Sequence, residues 1–433
     1  VLNEKLNAAV APGPELVATR RDAALPAIPG KVHAVIGMRR AGKTTYLRQL
    51  QSQWRASVEP ARVVYLNFED DRLAGLPLEQ LGALLEEYYR SYPEWRGRET
   101  VWWLLDEIQV VNGWERFVRR LMDTERVEVV VSGSSARMLS REVHTSLRGR
   151  GTETVIRPFS FREFLRHRGE EPEGKARALT SAKRSRVERF FGEYLAVGGF
   201  PEAQGLAAGL RVDLLQGYVD TVLFRDVVER RGVTQVAALR WLTRQCLKNP
   251  AGSFSVHRLH QDLKAQGLGV AKDALHAMVG HLEDAFLLRC VPLATESERR
   301  RNSNPRKIYP VDTGMIGAFD RTGRSNVGHA LETVVLHELD RRQAEAGYVR
   351  TGTGHEVDFL ARFHGGREEL IQVCADTGPA ETRERELRAL EEALREHPRA
   401  TPKLLVLNFE QLAVKVSPGV TVQAAYQWLL DAD

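Results

Sequence analysis

The segment Gly37-Met-Arg-Arg-Ala-Gly-Lys43-Thr44 matches G-x-x-x-x-G-K-[ST], a loop whose chemistry is the capture of phosphate. Its glycines let the backbone wrap an anion, so that N–H groups and the N-terminus of the following helix face it. Lys43 brings a compact positive charge to the β- and γ-phosphates of a nucleotide, and Thr44 brings a hydroxyl for Mg²⁺. Arg39, Arg40, Ala41, Gly42 and Thr45 complete the loop and the helix start. A second run, Val101-Trp-Trp-Leu-Leu-Asp106-Glu107, ends in two carboxylates. Asp106 suits the Mg²⁺ shell, and Glu107 suits the orientation or deprotonation of an attacking water. ATP and Mg²⁺ are therefore the expected cofactors. A third run, Val129-Val-Val-Ser132-Gly-Ser134-Ser135, ends in hydroxyls that could sense a γ-phosphate or cap a helix. Beyond it, Arg148 and Arg150 stand where an arginine could act on a neighbouring subunit's nucleotide, or simply where basic residues suit a helix C-terminus.

These groups need rigid elements behind them. Apolar runs at Val32–Ile36, Val63–Phe68, Val101–Leu105, Val127–Val131 and Thr154–Ile156 alternate with helical stretches at Leu78–Tyr89, Trp114–Thr124 and Ala136–Leu147. That is the rhythm of a parallel sheet, and the unbroken apolar character of the runs implies helices on both faces. Organised structure is expected from about Gly30, because six prolines and glycines break up the first thirty residues. After Pro158 the pattern turns mostly helical, past a Gly-Gly-Phe-Pro turn at Gly198–Pro201. Between Ser253 and Leu293 it reads helix, turn, helix, strand, the spacing of a winged helix, and strands and helices alternate again beyond the basic run Arg299–Lys307.

Length and composition set the frame. The 433 residues suffice for roughly two to four domains, and 43% hydrophobic with 27% charged residues is the balance of a folded globular chain. A net charge of +5 is too small to demand a nucleic-acid partner, so any basic footprint must be local. Eleven lysines stand against 51 arginines, which makes each lysine informative. Three scattered cysteines suggest neither a disulfide framework nor a zinc ribbon. With no leader-like start and no run near the ~18–20 apolar residues of a membrane span, the expectation is a soluble cytoplasmic protein with no membrane partner.

Taken in order, Gly37–Thr44 with its Arg39-Arg40 pair, Leu104-Leu-Asp-Glu-Ile-Gln109, Ser132-Gly-Ser-Ser135, Ser160-Phe-Arg-Glu-Phe164, Gly198-Gly-Phe-Pro-Glu202 and Arg225-Asp226 resemble a group of prokaryotic AAA+ ATPases. That group carries a C-terminal domain of unknown function related to restriction endonucleases. The resemblance implies an α/β fold: lead-in 1–30, AAA+ P-loop NTPase core 31–165, helical lid 166–235, winged-helix domain 236–298 and PD-(D/E)xK-like α/β domain 299–433. It also implies a homo-oligomer, such as a hexameric ring, with nucleotide sites shared between subunits, and it favours Arg148 or Arg150 as the finger. The Gly-Gly-Phe-Pro turn looks like the lid element of STAND-type switch ATPases.

For the C-terminal domain the resemblance implies that Glu332, Asp358 and Gln372 answer to the glutamate, aspartate and (E/Q)-x-K of a nuclease core, which holds divalent ions against a phosphodiester. Cys374 stands where the lysine belongs, so a vestigial centre is expected unless Arg383 or Arg385 supplies the charge. DNA contact is expected from Lys272 and His276 on a recognition helix and from Arg299, Arg300, Arg301, Arg306 and Lys307 on a wing or linker, where cations position phosphates without reading sequence. The favoured expectation is ATP turnover coupled to DNA remodelling, with branched-DNA or Holliday-junction migration as one form. A nucleotide-gated switch or defence module acting on a protein partner and an ATP-regulated nuclease are the alternatives.

Overall fold

In the computed structural model, residues 2–11, 17–73, 76–133, 149–320 and 326–431 are described. They fall into two compact units, one of residues 1–157 with 284–286 and one of residues 158–283 with 287–433.

The first unit is built on five parallel strands, β1 (Val32–Ile36), β2 (Val63–Asn67), β3 (Val101–Asp106), β4 (Val127–Gly133) and β5 (Gly151–Val155), in the order β2-β3-β4-β1-β5. Successive side chains of a strand point to opposite faces, and both faces are covered. Val32, Ala34, Ile36, Val64, Leu66, Trp103, Leu105, Val129 and Val131 pack with residues of α1 (Leu2–Val10), α3 (Leu78–Ser91) and α4 (Trp114–Thr124). Val35, Val63, Tyr65, Leu104 and Val130 pack with Tyr46, Leu47 and Leu50 of α2 (Lys43–Arg55). Double coverage explains why the strands read as unbroken apolar runs. The anticipated helix at 136–147 lies outside the described residues. The lead-in is more ordered than its prolines suggested: α1 buries Leu6 and Ala9, and Lys5 pairs with Asp70.

The second unit opens with the helices α5 (Phe161–His167), α6 (Ser181–Val197) and α7 (Ala208–Thr221), the last running on into a π-helical stretch, Val222–Glu229. Next come α8 (Val236–Lys248), β6 (Ser253–Phe254), α9 (Val256–Ala265), α10 (Lys272–Asp284), β7 (Leu288–Val291), α11 (Glu298–Ser303) and β8 (Arg306–Pro310). Strand β8 lies between β6 and β7, antiparallel to both. The basic run is therefore no linker opening a new domain. It is a short helix and the central strand of this small sheet.

After α12 (Gly314–Phe319) and α13 (Val327–Arg341), a mixed sheet forms from β9 (Glu345–Arg350), β10 (Glu356–Arg362), β11 (Glu368–Cys374), β12 (Thr401–Val406) and β13 (Thr421–Ala424). Strands β9, β10 and β11 are antiparallel neighbours, and α14 (Ala380–Glu396) makes the crossover to the parallel β12 before α15 (Ala425–Leu430) ends the chain.

The Gly-Gly-Phe-Pro turn ties parts of this unit together. Gly199 N–H donates to Asp312 Oδ2 at 2.6 Å, Gly314 N–H donates to Asp312 Oδ1 at 3.0 Å, and Phe159 N–H donates to Gly199 O at 2.7 Å. Gly198 has φ +78°, and a Cβ there would lie 1.8 Å from Asp312 Oδ1. Gly198→Ala is expected to lower stability by ~2 kcal/mol or more, through left-handed strain plus the clash, read from chemical denaturation. Burial pushes the Asp312 carboxyl up to about 6 against backbone N–H bonds that favour its charged form. Its folded value lies above its unfolded value, so the folded state holds the extra proton. Its contribution to stability is therefore full below about pH 4 and lost as pH rises to about 6. D312N is expected to remove this component, on the order of 3 kcal/mol, from the difference in unfolding free energy between those two pH values.

Candidate functional site

Strand β1 ends at Ile36 and α2 begins at Lys43, so the phosphate-type loop sits at the C-terminal edge of the sheet. Gly37 (φ +146°) could carry no side chain, because a Cβ would lie 2.1 Å from Ile156 O. Arg40 and Gly42 take positive φ values of 67° and 99°, and no side chain caps the first turn of α2, whose N-terminal amides are thus suited to an anion. Lys43 is buried, with Nζ donating to Gly37 O at 3.1 Å and Met38 O at 3.2 Å and lying 3.9 Å from Glu107 Oε1. Thr44 is exposed at the mouth, Thr45 is half-buried, and Arg39 pairs with Glu69 at 3.2 Å. Arg21 braces the loop by donating to Ala41 O at 2.9 Å and to Arg157 O.

Strand β3 delivers Asp106 to the same edge, fully buried. Tyr65 Oη donates to its Oδ2 at 2.6 Å, and Ser132 Oγ donates to its Oδ1. Ser132 comes from β4, which the strand order places between β1 and β3, and it also accepts the Glu107 N–H at 3.1 Å. Burial and the neighbouring Asp106 charge push the Tyr65 phenol far above its ordinary value, so it stays a donor. Glu107 adopts φ +55°, a left-handed conformation uncommon outside glycine, and Gln109 Nε2 donates to its carboxylate. The donor set fits a nucleotide with Mg²⁺: Lys43 and the uncapped α2 amides for phosphate, Thr44 and Asp106 for the metal, Glu107 for water. Sequence reasoning missed Tyr65, whose only signal is a phenol one strand away from Asp106.

Ser134 and Arg148 lie outside the described residues. Arg150 precedes β5, whose first residue pairs with Val32, and its carbonyl accepts the Val32 N–H at 2.8 Å. It therefore stands at the edge opposite the phosphate loop, about 16 Å away along a five-residue strand, and its side chain pairs with Asp123. Within its own chain it does not face the phosphate loop.

In the second unit, Lys272 and His276 are exposed one turn apart on α10, and Arg299, Arg300 and Arg306 are exposed on and after α11. Arg301 is half-buried and donates to Thr295 O at 2.9 Å. Lys307 departs from the expected basic surface. It is buried, with Nζ 3.1 Å from Glu332 Oε1, 3.1 Å from Asp358 Oδ1 and 2.9 Å from Glu356 Oε1. An ammonium so enclosed cannot reach solvent phosphate.

The three nuclease-motif residues do converge around it, Glu332 from α13, Asp358 from β10 and Gln372 from β11. Asp358 N–H donates to Gln372 Oε1 at 3.3 Å, and Val373 N–H donates to Asp358 Oδ2 at 3.0 Å. A one-residue register shift in β10 between Val357 and Leu360 falls at Asp358, the kind of bulge that re-aims a side chain. Burial and the Asp358 charge push Glu332 up to about 8. For Lys307, burial disfavours the charge, but Asp358, Glu332 and Glu356 outweigh it and hold the ammonium above its ordinary value. Cys374 is buried, its thiol pushed up to about 11 by burial and donating to Asp376 O at 3.2 Å. Arg383 donates to Thr377 O, and Arg385 pairs with Glu386. Glu356 was findable, since it stands two residues before Asp358 on one strand face.

An uncharacterized protein of Methanocaldococcus jannaschii is 30% identical to this chain over 380 residues, covering 87% of this chain and 81% of that protein. The chain belongs to that protein's family. A member-like protein of Haemophilus influenzae, also uncharacterized, is 27% identical over 337 residues, covering 76% of this chain and 79% of its own length. Within the family chain, residues 29–165 match the model of an AAA domain and residues 188–326 that of a domain of unknown function, DUF8612. The first match coincides with the parallel sheet and its loop, so this part is an AAA+ P-loop core. Among solved structures, the Walker-type ATPase PABY2304 of Pyrococcus abyssi aligns with TM-score 0.38 at 14% identity, covering 66% of this chain and 90% of that one. The Orc1 protein of Aeropyrum pernix, solved in complex with DNA, aligns with TM-score 0.30 at 17% identity, covering 67% and 86%. Among the described residues, no helix is long and apolar enough to cross a membrane.

Tyr65→Phe removes one of the two side-chain donors holding Asp106. It is expected to weaken Mg²⁺-dependent ATP binding ~10–100-fold while leaving Mg²⁺-free binding unchanged, measured by titrating a fluorescent ATP analogue with and without the metal.

Proposed function

We propose that this family member hydrolyses ATP and couples the turnover to work on DNA. The reading is carried by one observation, the meeting of Lys43, Asp106, Glu107 and Ser132 at one edge of the parallel sheet. Lys43 binds the phosphates as a point charge, and Ser132 links Asp106 to the Glu107 backbone so that the two carboxylates move as one piece. Glu107 accepts a proton from the attacking water. Bound Mg²⁺ would supply charge neutralisation at the phosphates. Arg150, at the opposite edge, is read as a finger for a second copy's nucleotide, with Arg148 outside the described residues as the alternative, and this reading favours a homo-oligomer, a ring such as a hexamer being one form.

The DNA-facing part is read as the segment from α8 to β8. Four helices, the last of them the short α11, and a three-stranded antiparallel sheet in the order helix, strand, helix, helix, strand, short helix, strand support reading it as a winged helix. Lys272 and His276 then lie on the recognition helix, with Arg299 and Arg300 on the wing. The mixed sheet with α13 and α14 is read as PD-(D/E)xK-like.

Purified full-length protein is expected to hydrolyse ATP faster with DNA, measured against single-stranded, duplex, forked and four-way substrates. Glu107→Gln is expected to cut turnover ~10²–10⁴-fold with ATP binding retained, and unchanged turnover overturns the site. The double substitution Arg299→Ala, Arg300→Ala is expected to weaken binding to all sequences alike and to reduce the slope of log affinity against log salt by about one per lost phosphate contact. Turnover indifferent to every DNA, with nucleotide-dependent assembly, would instead favour a nucleotide-gated switch.

A further inference from the structure

The C-terminal centre presents three acidic side chains from two elements, Glu332 on α13 with Glu356 and Asp358 on β10, all directed at one point. Such a set is what a divalent ion takes at a phosphodiester-cleaving centre. Here that point holds the Lys307 ammonium, within 3.1 Å of an oxygen of each carboxylate. We propose that Lys307 is the built-in cation of this centre, occupying the place a divalent ion would need, so that the wild-type chain neither takes up such an ion there nor cleaves phosphodiesters.

Three features carry the inference. Lys307 comes from the small sheet, not from the mixed sheet and α13 that carry the motif. It lies on the central strand of the small sheet, its backbone paired with Ser253 on one side and Val291 on the other. The strand cannot slide to withdraw the ammonium without breaking both ladders. The remaining valences are also spoken for. Tyr309, on the same face of β8, donates to Glu332 Oε1; Val373 N–H takes Asp358 Oδ2; and the Gln372 amide is spent between Asp358 N–H and Glu386. Finally, the positive charge of the centre is already supplied, since Lys307 Nζ stands within 3.1 Å of an oxygen of each of the three carboxyl groups. A divalent ion would have to expel Lys307 into a buried site beside it, and an unpaired buried ammonium is costly. The motif position is filled by a buried neutral thiol, Cys374, so the lysine of this centre serves as its cation and not as a helper to one.

The test is Mn²⁺ binding by nucleotide-free full-length protein, read by electron paramagnetic resonance, together with nicking of supercoiled plasmid in Mn²⁺. Wild type and Asp358→Asn are expected to behave identically, with no ion taken up at this centre and the plasmid intact. Lys307→Ala uncovers the carboxylates and is expected to acquire roughly one Mn²⁺ per chain, with a rise in melting temperature on adding the metal. Both effects should vanish in the double variant Lys307→Ala, Asp358→Asn. Mn²⁺ uptake or nicking by wild type that Asp358→Asn abolishes overturns the proposal, and so does a folded Lys307→Ala protein that stays metal-free. If Lys307→Ala does not fold even with Mn²⁺, the wild-type and Asp358→Asn pair decides the matter alone.

Discussion

A parallel sheet delivers the C-terminal residue of every strand to one edge, and the nucleotide site is a consequence of that rule. Gly37 follows β1, Asp106 ends β3 and Ser132 lies near the end of β4, and the order β3-β4-β1 places the hydroxyl strand between the carboxylate and the loop. The Ser132–Asp106 bond exists only because β4 is inserted there. Were β3 beside β1, Asp106 would stand next to the loop with no donor from that side. The same rule puts Arg150 at the opposite edge from the loop of its own chain. Two of the non-glycine residues at positive φ, Arg40 and Glu107, lie at this edge. Such conformations cost of order 1–3 kcal/mol each and persist where surrounding structure fixes them.

Two buried polar centres, one in each unit, solve the cost of burying charge in different ways. At the nucleotide edge Asp106 is held by neutral donors, the Tyr65 phenol and the Ser132 hydroxyl. In the C-terminal sheet the carboxylates are answered by an internal ammonium. Breaking a buried pair by removing one partner typically costs ~3–5 kcal/mol. The C-terminal centre therefore anchors β8 of the small sheet to α13 and β10 of the mixed one, whatever else it does. Tyr348 adds to this junction by donating to Pro305 O at 2.6 Å.

Much of the first unit was legible because its signals are local. Continuous apolar runs mark strands buried on both faces, and Val32–Ile36 and Trp114–Thr124 keep the bounds their sequence suggested. The loop and the Asp106-Glu107 pair are contiguous motifs. What escaped depends on pairing between distant segments. Nothing near Tyr65 says that β2 lies beside β3, and nothing near Arg21 says that it will brace Ala41. In the second unit the run Arg299–Lys307 was read by composition as a basic wing or linker for phosphate contact, since charge density carries no record of which residue turns inward. The alternation in Arg306-Lys-Ile-Tyr-Pro310 puts Lys307 and Tyr309 on one strand face, and that is the faint signal of β8. A strand of five residues flanked by arginines is too short for alternation to outweigh composition.

The scarcity of lysine gains a physical sense from where the buried ones lie. Of the eleven lysines, Lys5, Lys43 and Lys307 are buried and the other eight are exposed or half-buried. A guanidinium is planar and donates in a fixed fork, which suits one carboxylate met edge-on. At Lys43 the oxygens approach from two loop carbonyls and a carboxylate, and at Lys307 from three carboxylates on two elements, so no single plane contains them. A compact ammonium with three rotatable donors meets such a set without displacing backbone, and its four-carbon stem passes through apolar packing to reach it. The lysines that remain buried are the ones whose partners surround them, and this links the phosphate loop to the centre that sequence reading alone had left without its cation.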